Sequence, residues 1–200
     1  MEFNFFCYLS EFLSKIENKN SRHMKWQHNC MTNQTRHETA FTICITRYNN
    51  KTCTERNAWL ANNPECRCIY KSPVPIKSNI PYQAPLFVLE MNNDTNQIIG
   101  IGRIINEIRA DRPYRIYADQ NYNRYTYLGR TRLDREVIMQ SRVNARVIEA
   151  LERMLFYGAR HAKRGQGIDE LPVRILRNRP GYSFTQFISG LFQHHQQNQI

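Results

Sequence analysis

The segment from residue 85 to residue 105 constrains the fold more than any other part of the chain. An apolar run, Leu86–Leu89, is followed by a polar corner at residues 92–96 and by a second apolar run, Ile98–Ile105. The corner, Asn-Asn-Asp-Thr-Asn, consists of residues that tolerate left-handed backbone or hydrogen-bond to their own main chain. A β-hairpin is therefore predicted here, at the centre of a sheet.

The second strand of this hairpin has glycine at alternate positions, Gly100 and Gly102, between isoleucines. Glycine at every second residue leaves one face of a strand without side chains, so another backbone or a ligand can approach closely. We therefore expect another backbone or a ligand to approach this face.

Other elements are predicted from apolar periodicity and from turn residues. Period-two patterns predict strands at Ala40–Tyr48, Cys68–Tyr70, Tyr114–Tyr117 and Arg124–Leu128. Patterns of three and four predict helices at residues 3–16, at Thr54–Leu60, at residues 136–160 and at Ser183–Phe192. Thr54 is expected to cap its helix, with Trp59 and Leu60 facing inward.

Together these elements predict one α+β domain. Its sheet is expected to be curved and mostly antiparallel, or closed into a small barrel, with a long C-terminal helix and an N-terminal helical extension. The expected boundaries are an N-terminal helix and polar linker at residues 1–38, a core domain at 39–178, and a C-terminal helix with a disordered tail at 179–200. The 200 residues suffice for one core of ordinary size.

The chain is strongly basic, with a net charge of +11. Residues 101–200 contain 17 Lys and Arg against 9 Asp and Glu, and most of those cations are arginine. Arginine binds phosphate and carboxylate in a bidentate manner, so polyanions are the expected partners. Nucleic acid is the first candidate and an acidic protein the second, while a surface that serves only solubility is the alternative.

Tyrosine and arginine interleave through residues 114–132, at nearly alternate positions. Stacking of bases on aromatic rings, with arginine on phosphate, is how a sheet recognises single-stranded or flipped nucleotides. The same alternation also arises when half of the tyrosines face the core and the arginines face water. The candidate contact surface comprises Tyr122, Arg124, Tyr125, Arg130, Arg132, Lys163 and Arg164.

The six cysteines all lie in the first 68 residues. The N-terminus lacks the pattern of a secretory signal, so a reducing compartment and free thiols are expected. Zinc sites use close ligand pairs such as C-x2-C, which the chain does not contain. No metal or cofactor is assigned, although zinc binding by Cys53, Cys66 and Cys68 remains open.

No catalytic motif is present, and no catalytic residue is assigned. Arg164–Ile168 resembles the pyrophosphate-binding loop of GNAT acetyltransferases, but that loop follows a strand and opens a helix, whereas a predicted helix precedes it here. Several carboxylates and His161 lack a motif that would bring them together. No apolar stretch approaches the roughly 18 residues of a membrane helix, so no membrane partner is expected.

Four motifs stand out between residues 55 and 175: CIYKSPVPI, FVLEMNNDTNQIIGIGRIIN, YNRYTYLGRTRLDR and FYGARHAKRGQGI. At these motifs the chain resembles an uncharacterised protein family of large nucleocytoplasmic DNA viruses. This resemblance implies an intracellular location in the host cytoplasm or nucleus, with the virion as a further location.

The segment LFVLEMNNDTNQIIGIGRI also resembles the hairpin of PUA-like modules, including the EVE and YTH types. Those modules are small β-barrels that hold RNA or a modified base in an aromatic-lined pocket. The resemblance implies that Trp59 and Tyr70 line such a pocket. Fold likeness alone does not establish a function.

The sequence thus favours a non-catalytic nucleic-acid-binding module of a large DNA virus, which uses a Tyr/Arg-rich sheet face and a basic loop. Either RNA or DNA would fit this surface. The alternative is a virion component, a minor capsid or core-associated protein, that turns the same basic surface towards acidic protein partners.

Overall fold

The computed structural model describes residues 41–172, residue 175 and residues 183–197. The helix predicted at residues 3–16 and the polar linker that follows it lie outside the described residues. The strands are β1 (Thr42–Tyr48), β2 (Cys68–Ser72), β3 (Pro85–Asn92), β4 (Gln97–Ile105), β5 (Tyr125–Gly129), β6 (Thr131–Asp134) and β7 (Asp169–Glu170). The helices are α1 (Asn50–Ala61), α2 (Arg135–Met139), α3 (Arg142–Phe156) and α4 (Phe184–Gln197), with a 3-10 turn at Gln120–Asn123.

The strands form two sheets, which confirms an α+β fold with mostly antiparallel pairing. The larger sheet has the order β6-β4-β3-β1-β7, and β2 pairs with β5 in a second, two-stranded sheet. Only β1 and β3 are parallel in the part of the chain described. Within those residues the larger sheet is open, with β6 and β7 at its edges, so the alternative of a closed barrel is not found.

The central strands β1 and β3 are buried along nearly their whole length. A parallel pair requires a long crossover connection, and here α1, β2 and a proline-containing segment separate the two strands. A strand covered on both faces reads as an apolar run rather than as an alternating pattern. The run Leu86–Leu89 therefore forms the middle of the core.

The predicted hairpin is confirmed as β3 and β4. Asn96 in its turn has a φ of 55°, the left-handed backbone that the asparagine-rich corner predicted. The register shifts between Glu90 and Met91, where β4 carries one extra residue. A bulge of this kind re-aims neighbouring side chains, and Glu90 is the residue at that point.

The glycine face of β4 is approached closely, but by side chains of the same chain and not by the backbone or ligand that was expected. A Cβ atom on Gly102 would collide with the Tyr70 hydroxyl group, and one on Gly100 would collide with the Arg132 guanidinium. Because the two glycines have no side chains, Tyr70 and Arg132 have room to pack directly against this face of the sheet.

Helix α1 begins four residues earlier than predicted, and Thr54 does not cap it. Asn49 is the cap, because its side chain accepts from the Thr52 backbone N–H while the Thr52 hydroxyl receives the Asn49 N–H. The prediction of Trp59 and Leu60 as inward residues is only partly right, since both are half-buried. Arg56 is the buried residue of this helix.

The long helix predicted at residues 136–160 is two helices. Ser141 interrupts it and caps α3, because its hydroxyl oxygen accepts from the Asn144 N–H. The apolar stripe of α3 is buried, as its periodicity predicted.

Helix α4 buries Phe184, Ile188 and Phe192, and the Phe192 ring packs 5.0 Å from the Phe87 ring. The tail predicted to be disordered from His194 is helical as far as Gln197. None of the described helices is long and apolar enough to cross a membrane.

The strand predicted at Tyr114–Tyr117 is wrong. Among the described residues this segment pairs with no strand, and Asn123 supplies three of its hydrogen bonds. The side-chain oxygen accepts from the Ile116 and Tyr117 N–H groups, and the amide donates to the Tyr117 carbonyl at 2.6 Å. Both tyrosines are buried. The predicted Tyr/Arg face is therefore not one continuous sheet surface.

Candidate functional site

A cleft of about 170 Å³ lies where β1 ends and α1 begins. Four further segments contribute to it: β2, the β3–β4 turn, the 3-10 turn region and the loop that precedes β7. The side chains that matter for its chemistry are Arg47, Tyr48, Lys71, Asn93, Tyr117 and Tyr122, and the backbone of residues 165–167 forms one wall.

The aromatic part of the cleft consists of three tyrosines. Tyr48 and Tyr117 are buried, and burial raises the pKa of both hydroxyl groups, so both are neutral at physiological pH. The Tyr122 ring meets the Tyr117 ring edge to face, at 6.3 Å between centroids. Tyr122 is half-buried and is the most accessible ring of the three.

Lys71 is the unusual residue of the cleft, because only 6% of its surface is exposed. Its ammonium group donates to the Thr126 hydroxyl at 2.7 Å and lies 5.9 Å from the centre of the Tyr114 ring. No carboxylate among the described residues forms an ion pair with it. Burial lowers the pKa of this lysine to about 8.

The second cation of the cleft, Arg47, is paired. Its guanidinium donates to Asp169 at 2.8 Å and to the Ala162 carbonyl at 2.6 Å. Gly165 packs against this guanidinium. Arg47 therefore holds the loop that forms the wall of the cleft, and Lys71 remains the cation without a carboxylate.

A second group of buried charges lies behind Tyr48, whose ring is covered by Arg56 at 4.6 Å. Glu90 is fully buried and accepts from Arg56 at 2.7 Å, from Arg132 at 2.8 Å and from the Tyr70 hydroxyl at 2.8 Å. Burial alone would raise the pKa of Glu90, but the two guanidinium groups outweigh it and lower the pKa to about 2. Every charge in this cluster has a partner.

The structure separates the predicted contact residues into several places. Tyr122 lines the cleft, and the exposed Arg124 lies two residues beyond it and donates to Asn121. Arg130 is exposed at the other end of β5. A strand rises roughly 3.3 Å per residue, so Arg130 is about 20 Å from Arg124. Tyr125 is half-buried at the start of β5.

Two of the predicted cations have partners of their own. Arg132 is 12% exposed and belongs to the Glu90 cluster, with Asp134 as a further partner. Lys163 donates to the Asn96 side chain at 2.8 Å, beside the hairpin turn. Arg164 is exposed and directly precedes the wall of the cleft.

The two residues expected to line an aromatic pocket are separate. Tyr70 is completely buried, with its hydroxyl on Glu90, and Trp59 is half-buried, 6.0 Å from the Tyr114 ring. Neither lines the cleft.

Lys71 is absent from the predicted contact residues, and Glu90 was predicted only as one of several carboxylates without a motif, although the sequence carries a signal for each. Lys71 follows Ile69 at strand spacing, so period two places it on the same face as that isoleucine. Glu90 interrupts an apolar run, and a carboxylate in a buried strand requires a cation.

In the described part of the chain, no group of three or more His, Cys, Asp and Glu could hold a metal ion. Cys66 donates to the Cys68 carbonyl, and burial raises the pKa of the Cys53, Cys66 and Cys68 thiols.

Comparisons with family models, with characterised proteins and with solved structures gave no match to this chain.

Proposed function

We propose that this protein is a non-catalytic nucleic-acid-binding module, and that a strand binds at the cleft and the basic loop beside it. The observation that carries the proposal is the charge of the cleft. The described residues that line it include two cations, Arg47 and Lys71, and no carboxylate. Tyr122 offers a ring for stacking, and Arg164 offers an exposed cation for phosphate. Single strands are held by this combination of rings and cations.

The size of the cleft favours single-stranded over double-stranded nucleic acid. A pocket for a complete small molecule usually measures about 300–1,000 Å³, and this cleft is smaller, at about 170 Å³. It therefore suits one group of a larger molecule. A duplex keeps its bases paired, whereas a single strand can place one group inside a cleft.

The resemblances belong to the same proposal. PUA-like modules hold RNA or a modified base among aromatic side chains, and tyrosines line this cleft. The expected setting is a large DNA virus and the reducing interior of its host cell. The four described cysteines are free thiols, which supports a reducing compartment.

The test is fluorescence anisotropy with labelled single- and double-stranded DNA and RNA over a series of salt concentrations. We expect preferential binding of single strands that weakens as salt rises. Arg164→Ala should reduce the slope of log K against log salt by about 0.7, the value for one phosphate contact on a single strand. Tyr122→Ala should weaken binding by about 5- to 150-fold, the effect of one stacked base, and Tyr122→Phe should retain it.

The matched control is Arg130→Ala, which removes another exposed arginine, at the far end of β5. It should leave the salt slope close to that of the wild type. Weak binding of all four nucleic acids alike would contradict the proposal, and the basic surface would then face an acidic protein partner, as in a virion component.

A further inference from the structure

The buried charge of Lys71 indicates that the cleft is a site for an anion. Moving an ammonium group out of water is costly unless a carboxylate or another anion compensates for it. Lys71 is 6% exposed, and its hydrogen-bond partner is the neutral Thr126 hydroxyl. An ammonium group has three donors, so it can serve a ligand while it retains this bond. Among the described residues, the ammonium group is met by the Thr126 hydroxyl and the Tyr114 ring, and no anion compensates for its charge.

The carboxylates around the cleft do not supply that anion. Asp169 pairs with Arg47 and with Lys77, and Asp94 accepts from the Asn50 N–H at the start of α1. Because Asn49 and Asp94 already bind N–H groups of the first turn, this helix terminus is not the anion site either. The anion must come from outside and must reach Lys71.

A second residue of the cleft, Asn93, has a polar atom without a partner among the described residues. The Oδ1 atom of Asn93 is buried and accepts no hydrogen bond from the described residues, while the Nδ2 group donates to the Lys163 carbonyl at 3.0 Å. An acceptor without a partner in a buried position costs free energy. A ligand that carries a hydroxyl donor in addition to an anion would satisfy both groups.

The position of Lys71 restricts which phosphate can reach it. An internal phosphodiester has a sugar on each side, and both continue into the chain, so it cannot enter a cleft that admits only one group. A terminal phosphate monoester projects from the strand and has no second substituent. A cavity of about 150 Å³ holds a benzene molecule, so the cleft of about 170 Å³ can hold a phosphate group.

We propose that the cleft binds the phosphorylated end of a nucleic-acid strand, with the terminal phosphate monoester on Lys71 and a sugar hydroxyl group on Asn93. This inference rests on the proposed nucleic-acid binding and names the part of the strand that enters the cleft. Near neutral pH a phosphate monoester carries up to two charges and an internal diester carries one, which further favours the terminal group.

The experiment compares three single-stranded oligonucleotides of one sequence and one internal label, with a 5′-phosphate, with a 3′-phosphate, or with hydroxyl groups at both ends. We expect the wild-type protein to bind one of the phosphorylated strands at least about tenfold more tightly than the hydroxyl-ended strand. That ratio corresponds to one charge-assisted hydrogen bond. A nucleoside monophosphate with the same phosphate position should compete for the site.

Lys71→Met should abolish the preference for the phosphorylated end, so that the phosphorylated and the hydroxyl-ended strands bind with equal affinity. Asn93→Ala should weaken binding of the phosphorylated strand, because the sugar contact is lost. The matched control is Lys77→Met, which removes an exposed lysine outside the cleft, and this variant should retain the preference.

Equal affinity of the wild-type protein for the three strands would overturn the inference, and this measurement needs no variant to fold. If the three strands bind equally and Tyr122→Ala still weakens all of them, only the end recognition is wrong. If none of the strands binds, the proposed nucleic-acid binding itself is wrong.

Discussion

Glu90 and Lys71 both hold a charge inside this protein, but their surroundings differ. Glu90 is fully buried, and two arginines and a tyrosine donate hydrogen bonds to its carboxylate. Lys71 is almost as deeply buried, and its ammonium group donates to a neutral hydroxyl. Tyr48 lies between the two regions, because its ring contacts Arg56 of the Glu90 cluster and also lines the cleft.

The difference predicts that the charge of Glu90 stabilises the fold and that the charge of Lys71 reduces its stability. Both groups lose their hydration on folding, and among the described residues only the carboxylate gains partners of opposite charge. A buried cation without an anion is a cost, and such costs are tolerated where function requires them. We therefore expect substitutions at the two sites to change stability in opposite directions.

The largest effect is expected from Glu90→Gln, which preserves shape but removes the charge between Arg56 and Arg132. Breaking a buried ion pair by removing one partner costs about 3–5 kcal/mol. For a chain of this length that corresponds to a fall in Tm of roughly 6–20 °C. Urea unfolding followed by circular dichroism at pH 7 measures the loss.

Asp134→Asn is the matched control for this prediction, because Asp134 also pairs with Arg132 but is 59% exposed. An exposed pair contributes about 0–1 kcal/mol. Equal losses in the two variants would contradict a special role for burial.

The acid dependence of stability gives a second measurement on Glu90. Its pKa is about 2 in the folded state, below the ordinary value of 4.5. Its contribution is therefore complete above about pH 4.5 and is lost as the pH falls from 4.5 towards 2. The unfolding free energy of Glu90→Gln should decline less steeply than that of the wild type across this window.

Lys71→Met is expected to have a smaller effect of the opposite sign. Methionine fills the same narrow space without a charge, so the unfolding free energy at pH 7 should rise by about 1–3 kcal/mol. The folded-state pKa of Lys71 is lowered to about 8 from 10.5, so the unfolded chain binds more protons between these values. The stability of the wild type should therefore gain from this lysine as pH rises from 8 to 10.5.

The difference in unfolding free energy between the wild type and Lys71→Met isolates this titration from that of the other lysines and tyrosines. It should be largest near pH 7 and should shrink as pH approaches 10.5. A variant less stable than the wild type at pH 7 would show that Lys71 stabilises the fold, and the contrast with Glu90 would fail.

The elements that the sequence predicts well are those whose signal is local. The hairpin of β3 and β4 follows from two apolar runs around an asparagine-rich turn, and its Asn96 adopts the expected left-handed backbone. Strand β1 and helix α4 follow from periodicity in the same way. In each case the residues within one element determine the pattern.

The wrong predictions of secondary structure arise where a single side chain makes the hydrogen bonds that change the local backbone structure. Tyr114–Tyr117 has the alternation of a strand, but the Asn123 side chain satisfies its backbone groups, so no partner strand is needed. Ser141 interrupts an apolar stripe that reads as one helix, because its hydroxyl group caps a new helix.

The charged clusters could not be predicted as clusters, because their members are distant in the sequence. Arg56 and Arg132 lie 34 and 42 residues from Glu90. The alternation of residues on β5 and β6 predicted that Arg132 lies on the surface. The order of the strands is needed to show that its side chain lies over the glycine face of β4 and reaches the Glu90 carboxylate. The cleft likewise depends on segments from five parts of the chain.

The smallest effect is expected from Gly167→Ala, which tests whether the shape of the cleft matters as well as its charge. Gly167 has a φ of +81°, and a Cβ atom there would collide with the Ser72 hydroxyl group. The left-handed backbone costs an alanine about 1–2 kcal/mol, so modest destabilisation is expected. Because the wall at residues 165–167 must move, the loss in free energy of strand binding should exceed the loss in free energy of unfolding.

Gly190→Ala is the control for that change, because Gly190 lies within α4 and a Cβ atom there meets nothing within 4 Å. Alanine is favoured over glycine inside a helix by roughly 1 kcal/mol, so this variant should be more stable than the wild type and should bind strands equally well. If Gly167→Ala binds like Gly190→Ala, the wall does not contribute to recognition. The contrast between the two regions would then rest on the charge of Lys71 alone.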